Sequence, residues 1–319
     1  MQIVDHNTIL ALGISPLQMY QWTETMIQNK HNAVLPPKIS MKQEENGFYN
    51  VMPCMLPEIN RMGVKIINRN SGRTQGPSLT SQILLYELSS GKPLTLFDGS
   101  YITAIRTGAV AAHSVQLFAR KDFSSIGLIG LGTTATATMD VLLTIMPERE
   151  MDVHLLRYKD QAERFIRRYA QNPKLRFIVH DSAGELIRNS QVIISCVTYM
   201  DHCFADESAF QPGCTVIPVH TRGFQNCDTA FDKVFADDIG HVRGFQNFEK
   251  FKSIAEVSDV VNGRAVGRTN DQERILVYNI GLAIHDIYFA DQIFRLNPSG
   301  QTVSLEGPDE KSWLPLVKE

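Results

Sequence analysis

Apolar and polar residues follow two different periods along this chain. In the first third, an amphipathic stretch from Ser15 to Gln28 predicts a helix that cannot continue through Pro36 and Pro37. Short strand-like runs follow, and the segments between them are rich in turn residues. These runs are Lys38–Met41, Phe48–Met52, Gly63–Ile67, Ser81–Tyr86 and Pro93–Phe97. The pattern predicts an antiparallel meander that forms a sheet of its own.

The pattern changes from Asp98 onward. A helix rich in small residues is predicted over Tyr101–Phe118, and its small faces suit close packing between two layers. Apolar runs then alternate with helix-like segments, which is typical of a parallel, doubly wound sheet. The predicted strands are Ser125–Ile129, Val153–Leu156, Phe177–Val179, Gln191–Val197, Cys214–Val219 and Lys233–Ala236, with helices at Thr136–Met146, Ala183–Asn189 and Asn279–Phe294. We expect the tail from Leu296 to Glu319 to be loosely held.

A glycine turn directly follows the first strand of the alternating region. Its pattern is Gly-x-Gly-x-x-Ala, with Gly130 at the tight bend, Gly132 where the backbone approaches a pyrophosphate, and Ala135 where helix and strand pack closely. Thr133 and Thr134 complete the turn. Strand, turn, helix and second strand together predict a Rossmann dinucleotide-binding fold over residues 119–279, and therefore redox chemistry with a bound cofactor.

The end of the second Rossmann strand bears on the choice of cofactor. An acidic residue there binds the ribose hydroxyls of NAD, whereas a basic residue accommodates the 2′-phosphate of NADP. Arg157 occupies this place, with Tyr158 and Lys159 beside it. NADP(H) is therefore favoured over NAD(H), although Asp160 remains available to a ribose if the strand ends later.

Composition favours a small-molecule enzyme. The 319 residues exceed a typical single core, and the net charge of −3 gives no reason to expect nucleic acid or a membrane as partner. The cysteines have no metal-ligand or disulfide spacing, and no metal site is predicted; they are Cys54, Cys196, Cys203, Cys214 and Cys227. The start shows no leader pattern, so we expect a cytoplasmic protein.

Three places look chemical. Lys65 lies inside an apolar strand, and if it points inward it needs an anionic or carbonyl partner; the alternative is the solvent face of an alternating strand. Arg106 lies in a helix of small residues, where a substrate carboxylate or an internal salt bridge would compensate its charge. His220 and Arg222 follow a Rossmann strand, where ligands bind, although a plain surface loop would also fit.

Along most of its length the chain resembles the ornithine cyclodeaminase/μ-crystallin family. The matching motifs are Val51-Met52-Pro53, Gly63-Val64-Lys65, Asp98-Gly99-Ser100, Ile105-Arg106-Thr107-Gly108-Ala109, Gly130-Leu131-Gly132, and Asn279-Ile280-Gly281-Leu282-Ala283 with Asp286. The resemblance implies a homodimer with two domains. A mixed α/β dimerisation and substrate domain would comprise residues 1–118 with 280–319, beside the Rossmann domain of residues 119–279.

The resemblance also implies roles for single residues. Lys65 would bind the substrate carboxylate or act near the reacting carbon, Arg106 would hold the carboxylate, and Met52 would line the substrate pocket. Thr107 would meet the cofactor phosphate, and Thr198 would lie near the nicotinamide.

Two departures from the family pattern narrow the expected activity. Arg222 stands where cyclodeaminases and related alanine dehydrogenases carry an aspartate, so cyclodeamination lacks its carboxylate unless Asp228 reaches back into the site. Asn32 stands where members often place an arginine, with Lys38 as a possible substitute. Lys65 and His220 are then the candidate acid–base groups, and Arg222 is free to hold a second carboxylate or a phosphate.

The sequence therefore predicts an NAD(P)-dependent oxidoreductase that acts on the C–N bond of a small amino, imino or keto acid, as a ketimine reductase or a secondary-amine amino-acid dehydrogenase does. The enzymatic alternative is an ornithine cyclodeaminase or alanine-type dehydrogenase. A non-enzymatic alternative is a protein that binds NADPH and a small ligand.

Overall fold

The computed structural model of the chain describes residues 1–44, 47–70, 75–198, 200–296 and 298–305. Within these residues the strands form two separate sheets. The strands of the first sheet are β1 (Gln2–Val4), β2 (Ile39–Lys42), β3 (Phe48–Leu56), β4 (Arg61–Arg69), β5 (Leu79–Glu87), β6 (Pro93–Asp98) and β15 (Gln301–Thr302). Those of the second are β7 (Ser125–Ile129), β8 (Met151–Leu156), β9 (Leu175–His180), β10 (Val192–Ser195), β11 (Thr215–Pro218), β12 (Lys233–Ala236), β13 (Ile254–Glu256) and β14 (Ile275–Tyr278).

The first sheet is the predicted meander with an added edge. Its order is β15-β1-β6-β5-β4-β3-β2, and β2 to β6 pair antiparallel. Strand β1 adds parallel to β6, and Gln301–Thr302 pairs with β1. The expectation of a loose tail is thus wrong at this short strand, whose backbone completes the edge; residues 306–319 lie outside the described part of the chain.

The second sheet is parallel throughout, in the order β13-β12-β14-β11-β10-β7-β8-β9. The predicted Rossmann-type parallel sheet is therefore confirmed. The chain order reverses at β7, which pairs with β8 on one side and with β10 on the other. Ligands of such sheets bind outside the carboxyl ends of the strands at this reversal.

The helices are α1 (His6–Ala11), α2 (Pro16–Gln28), α3 (Gly99–Phe118), α4 (Thr133–Ile145), α5 (Gln161–Tyr169), α6 (Ala183–Arg188), α7 (Ile239–Val242), α8 (Val257–Val261) and α9 (Ala283–Arg295). Ser15 and Gln18 form a capping box at the start of α2, and the Asp98 side chain accepts from Ser100 at the start of α3. None of the described helices is long and apolar enough to cross a bilayer.

Helix α3 joins the two sheets through close contacts. A Cβ on Gly108 would lie 2.6 Å from the Ala137 Cβ and 2.7 Å from the Thr138 amide of α4. The small faces predicted for this helix therefore let α3 lie directly against α4. Because α3 also packs on α9, it fixes the first sheet relative to the second.

The segment that leads into the C-terminal helix differs from the sequence prediction in two respects. Strand β14 was not predicted; it comprises Ile275–Tyr278, directly before the segment that resembled a helix. That helix, α9, begins at Ala283 rather than at Asn279. The cause is Gly281, whose φ of +100° is incompatible with a helix and ends the preceding loop.

Candidate active site

The nucleotide half of the site forms where three neighbouring parallel strands end. The turn from Gly130 to Gly132 follows β7, Thr198 lies just beyond β10, and Val219 and His220 follow β11. Their shared edge borders a cleft of about 560 Å³. Met52, Lys65, Arg106, Thr107, Thr134, Thr198, His220 and Arg222 all line this cleft.

The glycine turn leaves its backbone open at the start of α4. Gly130 has a φ of +82°, and a Cβ there would lie 2.9 Å from the Val197 amide. The space around the Gly132 Cα is open, and Gly132 provides no side chain to cap α4. Amides at the start of α4, at Thr133 and Thr134, therefore remain for an anion. Ala135 is fully buried, as close packing of helix and strand requires.

The rim at the end of β8 is exposed. The Arg157 side chain is 47% exposed and forms ion pairs with Asp181 at 2.8 Å and Glu163 at 2.9 Å. Tyr158 is 58% exposed, and the Lys159 ammonium lies 5.4 Å from the Tyr158 ring centre. The three residues are thus brought together at the place that the sequence predicts.

The substrate half of the site contains a buried ionic network. Lys65 is fully buried on β4, so its alternative place on the solvent face of the strand is wrong. Its ammonium lies 2.6 Å from the Asp286 Oδ2, and the Arg106 Nε donates to the Asp286 Oδ1 at 2.8 Å. One carboxylate on α9 therefore holds both predicted cations at the floor of the cleft.

Local packing explains why Asp286 reaches Lys65. Gly63, two residues before Lys65, faces α9, and a Cβ on Gly63 would lie 2.6 Å from the Ile287 Cδ1. The missing side chain lets α9 lie on the sheet at this point. In the sequence, Asp286 stands out only as part of a family motif and as a carboxylate within a predominantly apolar helix.

Arg106 forms an internal salt bridge and also lines the cleft, so it can pair with Asp286 and still offer donors to a substrate carboxylate. Its Nη1 and Nη2 donate to no residue in the described part of the chain. They face Gly281, where a Cβ would come within 3.0 Å of Nη1. The Gly281 amide donates to the buried Asp237 carboxylate at 2.5 Å, which fixes this loop. The outer edge of the guanidinium is thus left for an anion.

Burial changes the acid–base properties of the floor. Desolvation, together with the neighbouring Arg106 charge, lowers the pKa of Lys65 to about 7, and Asp286 opposes this shift. Lys65 can therefore exchange a proton near neutral pH.

His220 has different properties. Its Nε2 lies 2.6 Å from the Ser195 hydroxyl, a contact that sequence analysis missed. Desolvation lowers the pKa of His220 to about 4, so the ring is neutral at pH 7. The geometry supports Lys65 rather than His220 as the proton donor.

Three further positions bear on the activities that the sequence left open. Arg222 lines the cleft and is exposed. Asp228, which would replace the missing family aspartate, is buried elsewhere: its carboxylate contacts Asn247 at 2.8 Å and the Tyr278 hydroxyl at 3.4 Å. Asp228 does not line the cleft. Lys38, by contrast, lines it, and burial lowers the pKa of its ammonium.

Known proteins with similar sequences and folds identify the family of this chain. The profile of the ornithine cyclodeaminase/mu-crystallin family matches residues 7–299. The chain belongs to this family. Among family relatives, the nodulation efficiency protein NfeD of Rhizobium meliloti is 30% identical over 82% of this chain and 83% of its own length.

Two further relatives have names that describe a reaction or a ligand. The N-((2S)-2-amino-2-carboxyethyl)-L-glutamate dehydrogenase of Staphylococcus aureus is 26% identical over 96% of this chain and 98% of its own. The Delta(1)-pyrroline-2-carboxylate reductase of Thermococcus litoralis, solved with NADH and L-proline, superposes with a TM-score of 0.82 at 22% identity and covers 95% of this chain and 100% of its own. The latter likeness establishes the fold.

Proposed function

We propose that this protein is an NAD(P)-dependent oxidoreductase that acts on the C–N bond of a small amino or imino acid. The observation that carries the proposal is the shared cleft: Thr134, at the start of the helix that follows the glycine turn, lines one side, and the buried pair of Lys65 and Arg106 forms the floor. The Staphylococcus aureus relative, named as a dehydrogenase of an N-substituted glutamate, supports the same class of reaction.

The described residues fit a nicotinamide dinucleotide. The open backbone at Gly132 and the uncapped start of α4 suit its pyrophosphate, with Thr107, Thr133 and Thr134 nearby. Thr198 lies at the adjacent strand end, on the side proposed for the nicotinamide. When bound, the cofactor supplies or accepts a hydride.

We further propose that NADP(H) is preferred over NAD(H). Arg157 and Lys159 supply two cations at the exposed end of β8, and Tyr158 lies between them in the chain. Asp160, the alternative ribose ligand, is in an ion pair with Arg164 at 3.2 Å. A 2′-phosphate at this rim would meet Arg157, whose guanidinium is already positioned by Asp181 and Glu163.

The substrate carboxylate would bind the outer edge of Arg106, beside Met52. The Asp286 carboxylate fixes the orientation of Arg106 before substrate arrives, so little ordering remains to oppose binding. Lys65 would donate a proton to the substrate nitrogen in the reducing direction and accept it in the oxidising direction. Ornithine cyclodeamination is not supported, because Arg222 and not a carboxylate faces the cleft.

A homodimer is also proposed, with the outer face of the first sheet as its interface. Five large apolar side chains on this face are between 39% and 58% exposed: Ile39, Met41, Tyr49, Met55 and Ile66. Such a contiguous apolar face is typical of a covered interface, and the family resemblance supports a second copy as the partner. We expect light scattering to give a dimer mass and Ile66→Glu to shift it towards the monomer.

The proposed reaction is tested by NAD(P)H oxidation with a panel of cyclic ketimines and of keto acids with amines. We expect Arg106→Ala to lower kcat/KM by about 100-fold, because a charge-assisted carboxylate contact is lost. Arg61→Ala is the matched control, because Arg61 pairs with Asp291 at 2.6 Å and lies outside the cleft lining. An unchanged kcat/KM in Arg106→Ala would exclude the anchoring role.

A further inference from the structure

The charges that line the cleft are all of one sign. Lys38, Lys42, Lys65, Arg106 and Arg222 line it, and none of the lining residues in the described part of the chain is an aspartate or glutamate. Asp286, behind the floor, compensates charge at Lys65 and Arg106 only. Asp237 lies near Lys38, so a substrate whose single carboxylate binds Arg106 would leave Lys42 and Arg222 without an anionic partner among the described residues.

The cations lie at two levels of the cleft. Lys65 and Arg106 are buried at the floor, whereas Lys42 and Arg222 are exposed at the mouth. Alternation along β2 directs Ser40 and Lys42 to the cleft face, since they pair with Asn50 and Phe48, which also line the cleft.

The Lys42 backbone lies away from the floor. At about 3.3 Å per residue, it is about 13 Å along the strand direction from Lys38, which lies near Arg106. Lys42 is thus placed to meet a distal part of a ligand rather than the carboxylate that Arg106 holds.

The two mouth cations come from opposite halves of the molecule. Lys42 lies on the first sheet, and Arg222 lies in the loop that follows β11 of the second. Neither forms an ion pair with a residue that the structure describes. A ligand that extends from the floor to the mouth would therefore reach one cation from each half of the molecule.

We propose that the substrate is dicarboxylic: its α-carboxylate binds Arg106, and a second, distal carboxylate binds Arg222, with Lys42 on the facing wall. This inference rests on the proposed function and specifies its substrate class. The same charges disfavour a substrate with a distal ammonium, because Arg222 would repel it at the position where a carboxylate would attract it.

Binding of 2-oxoglutarate and 2-oxovalerate tests the proposal without turnover. The two acids have five carbons each and differ in a terminal carboxylate or methyl group. We expect isothermal titration calorimetry, with and without NADPH, to give about tenfold tighter binding of 2-oxoglutarate. Arg222→Gln should abolish most of this preference, Lys42→Gln should reduce it, and the exposed Arg167→Gln on α5 should leave it unchanged.

A charge reversal sharpens the test. Arg222→Asp should weaken 2-oxoglutarate binding more than Arg222→Gln does, and should improve binding of ornithine, which carries a distal ammonium. Equal binding of the two oxo acids by the wild type would overturn the proposal. So would a loss of NADPH affinity in Arg222→Gln with the oxo-acid preference intact, because Arg222 would then serve the cofactor.

The outcomes separate this proposal from the proposed reaction. If the dicarboxylate preference and its dependence on Arg222 hold but no panel substrate oxidises NAD(P)H, the reaction is wrong and the ligand class stands. If only monocarboxylic imino acids turn over and Arg222→Gln has no effect on them, the reaction stands and the dicarboxylate assignment fails.

Discussion

Arg106 and Arg157 are both arginines that the sequence predicts to bind an anion, but their surroundings differ. The Arg106 side chain is 6% exposed and shares a carboxylate, itself fully buried, with Lys65. The Arg157 side chain is 47% exposed, and its partners Asp181 and Glu163 are 83% and 50% exposed. One arginine is fixed within the fold, and the other lies on its surface.

This difference predicts how each arginine tolerates change. Removal of one partner from a buried ion pair costs about 3–5 kcal/mol, because the remaining charge is left without water or counter-charge. An exposed pair contributes about 0–1 kcal/mol, since water replaces the lost partner. The floor of the cleft should therefore couple activity to stability, whereas the rim should affect ligand choice alone.

The largest effect is expected for Asp286→Asn. This change leaves the buried Arg106 guanidinium and the Lys65 amine without their shared carboxylate, so we expect a loss of about 3–5 kcal/mol in the free energy of unfolding and a large loss of kcat. Chemical denaturation and NAD(P)H oxidation measure the two effects. Lys65→Met in the Asp286→Asn background should recover part of the stability, because it removes a buried amine that has lost its partner.

Asp291→Asn is the matched control for this prediction. Asp291 is also fully buried on α9, but its carboxylate pairs with Arg61 and Arg295, each at 2.6 Å, and it does not line the cleft. We expect reduced stability with kcat retained. If both aspartate variants lose stability but neither loses kcat, the floor network is structural only.

The same distinction explains which parts of the site the sequence could predict. The strand, glycine turn and helix around Gly130 are contiguous in the chain, and local rules suffice to place them. Lys65 and Arg106 were detectable because a charge among apolar or small residues needs a partner. Their partner Asp286 is 180 residues from Arg106, so no local pattern connects the two.

Other features required the tertiary structure. The contact between Ser195 and the His220 imidazole joins the ends of two neighbouring strands. The position of Asp228 depended on whether its loop turns toward the cleft or into the core, and both directions satisfy the sequence pattern. The start of α9 depended on the backbone of Gly281, since apolar periodicity continues across the boundary.

Proton transfer at the floor is expected to produce an intermediate effect. Because the pKa of Lys65 is about 7, kcat/KM for reduction should fall as the pH rises through about 7, and the rate of oxidation should rise over the same range. Lys65→Arg should remove this limb from the profile, since a guanidinium stays protonated. A limb that persists with the same midpoint in Lys65→Arg would assign the titration to another group.

The same shift has a consequence for stability. Between pH 7 and the ordinary lysine pKa of 10.5, the unfolded chain retains a proton on Lys65 that the folded protein has lost. The Lys65 contribution therefore makes the free energy of unfolding increase with pH across this window. In Lys65→Met, the pH dependence of denaturant midpoints from pH 7 upward should be shallower than in the wild type.

The smallest effect on stability is expected for Arg157, at the exposed end of β8. Arg157→Gln should change the free energy of unfolding by less than about 1 kcal/mol, because its two ion pairs are exposed. It should raise the KM for NADPH about tenfold and leave that for NADH within about twofold, because a phosphate contact is lost only with NADPH. Arg164→Gln on α5, which breaks the exposed pair with Asp160, is the control and should affect neither cofactor. An equal rise in the KM for NADPH and for NADH would show that Arg157 does not bind the 2′-phosphate. Arg157 and Arg106 would then differ in burial but not in having separate anionic ligands.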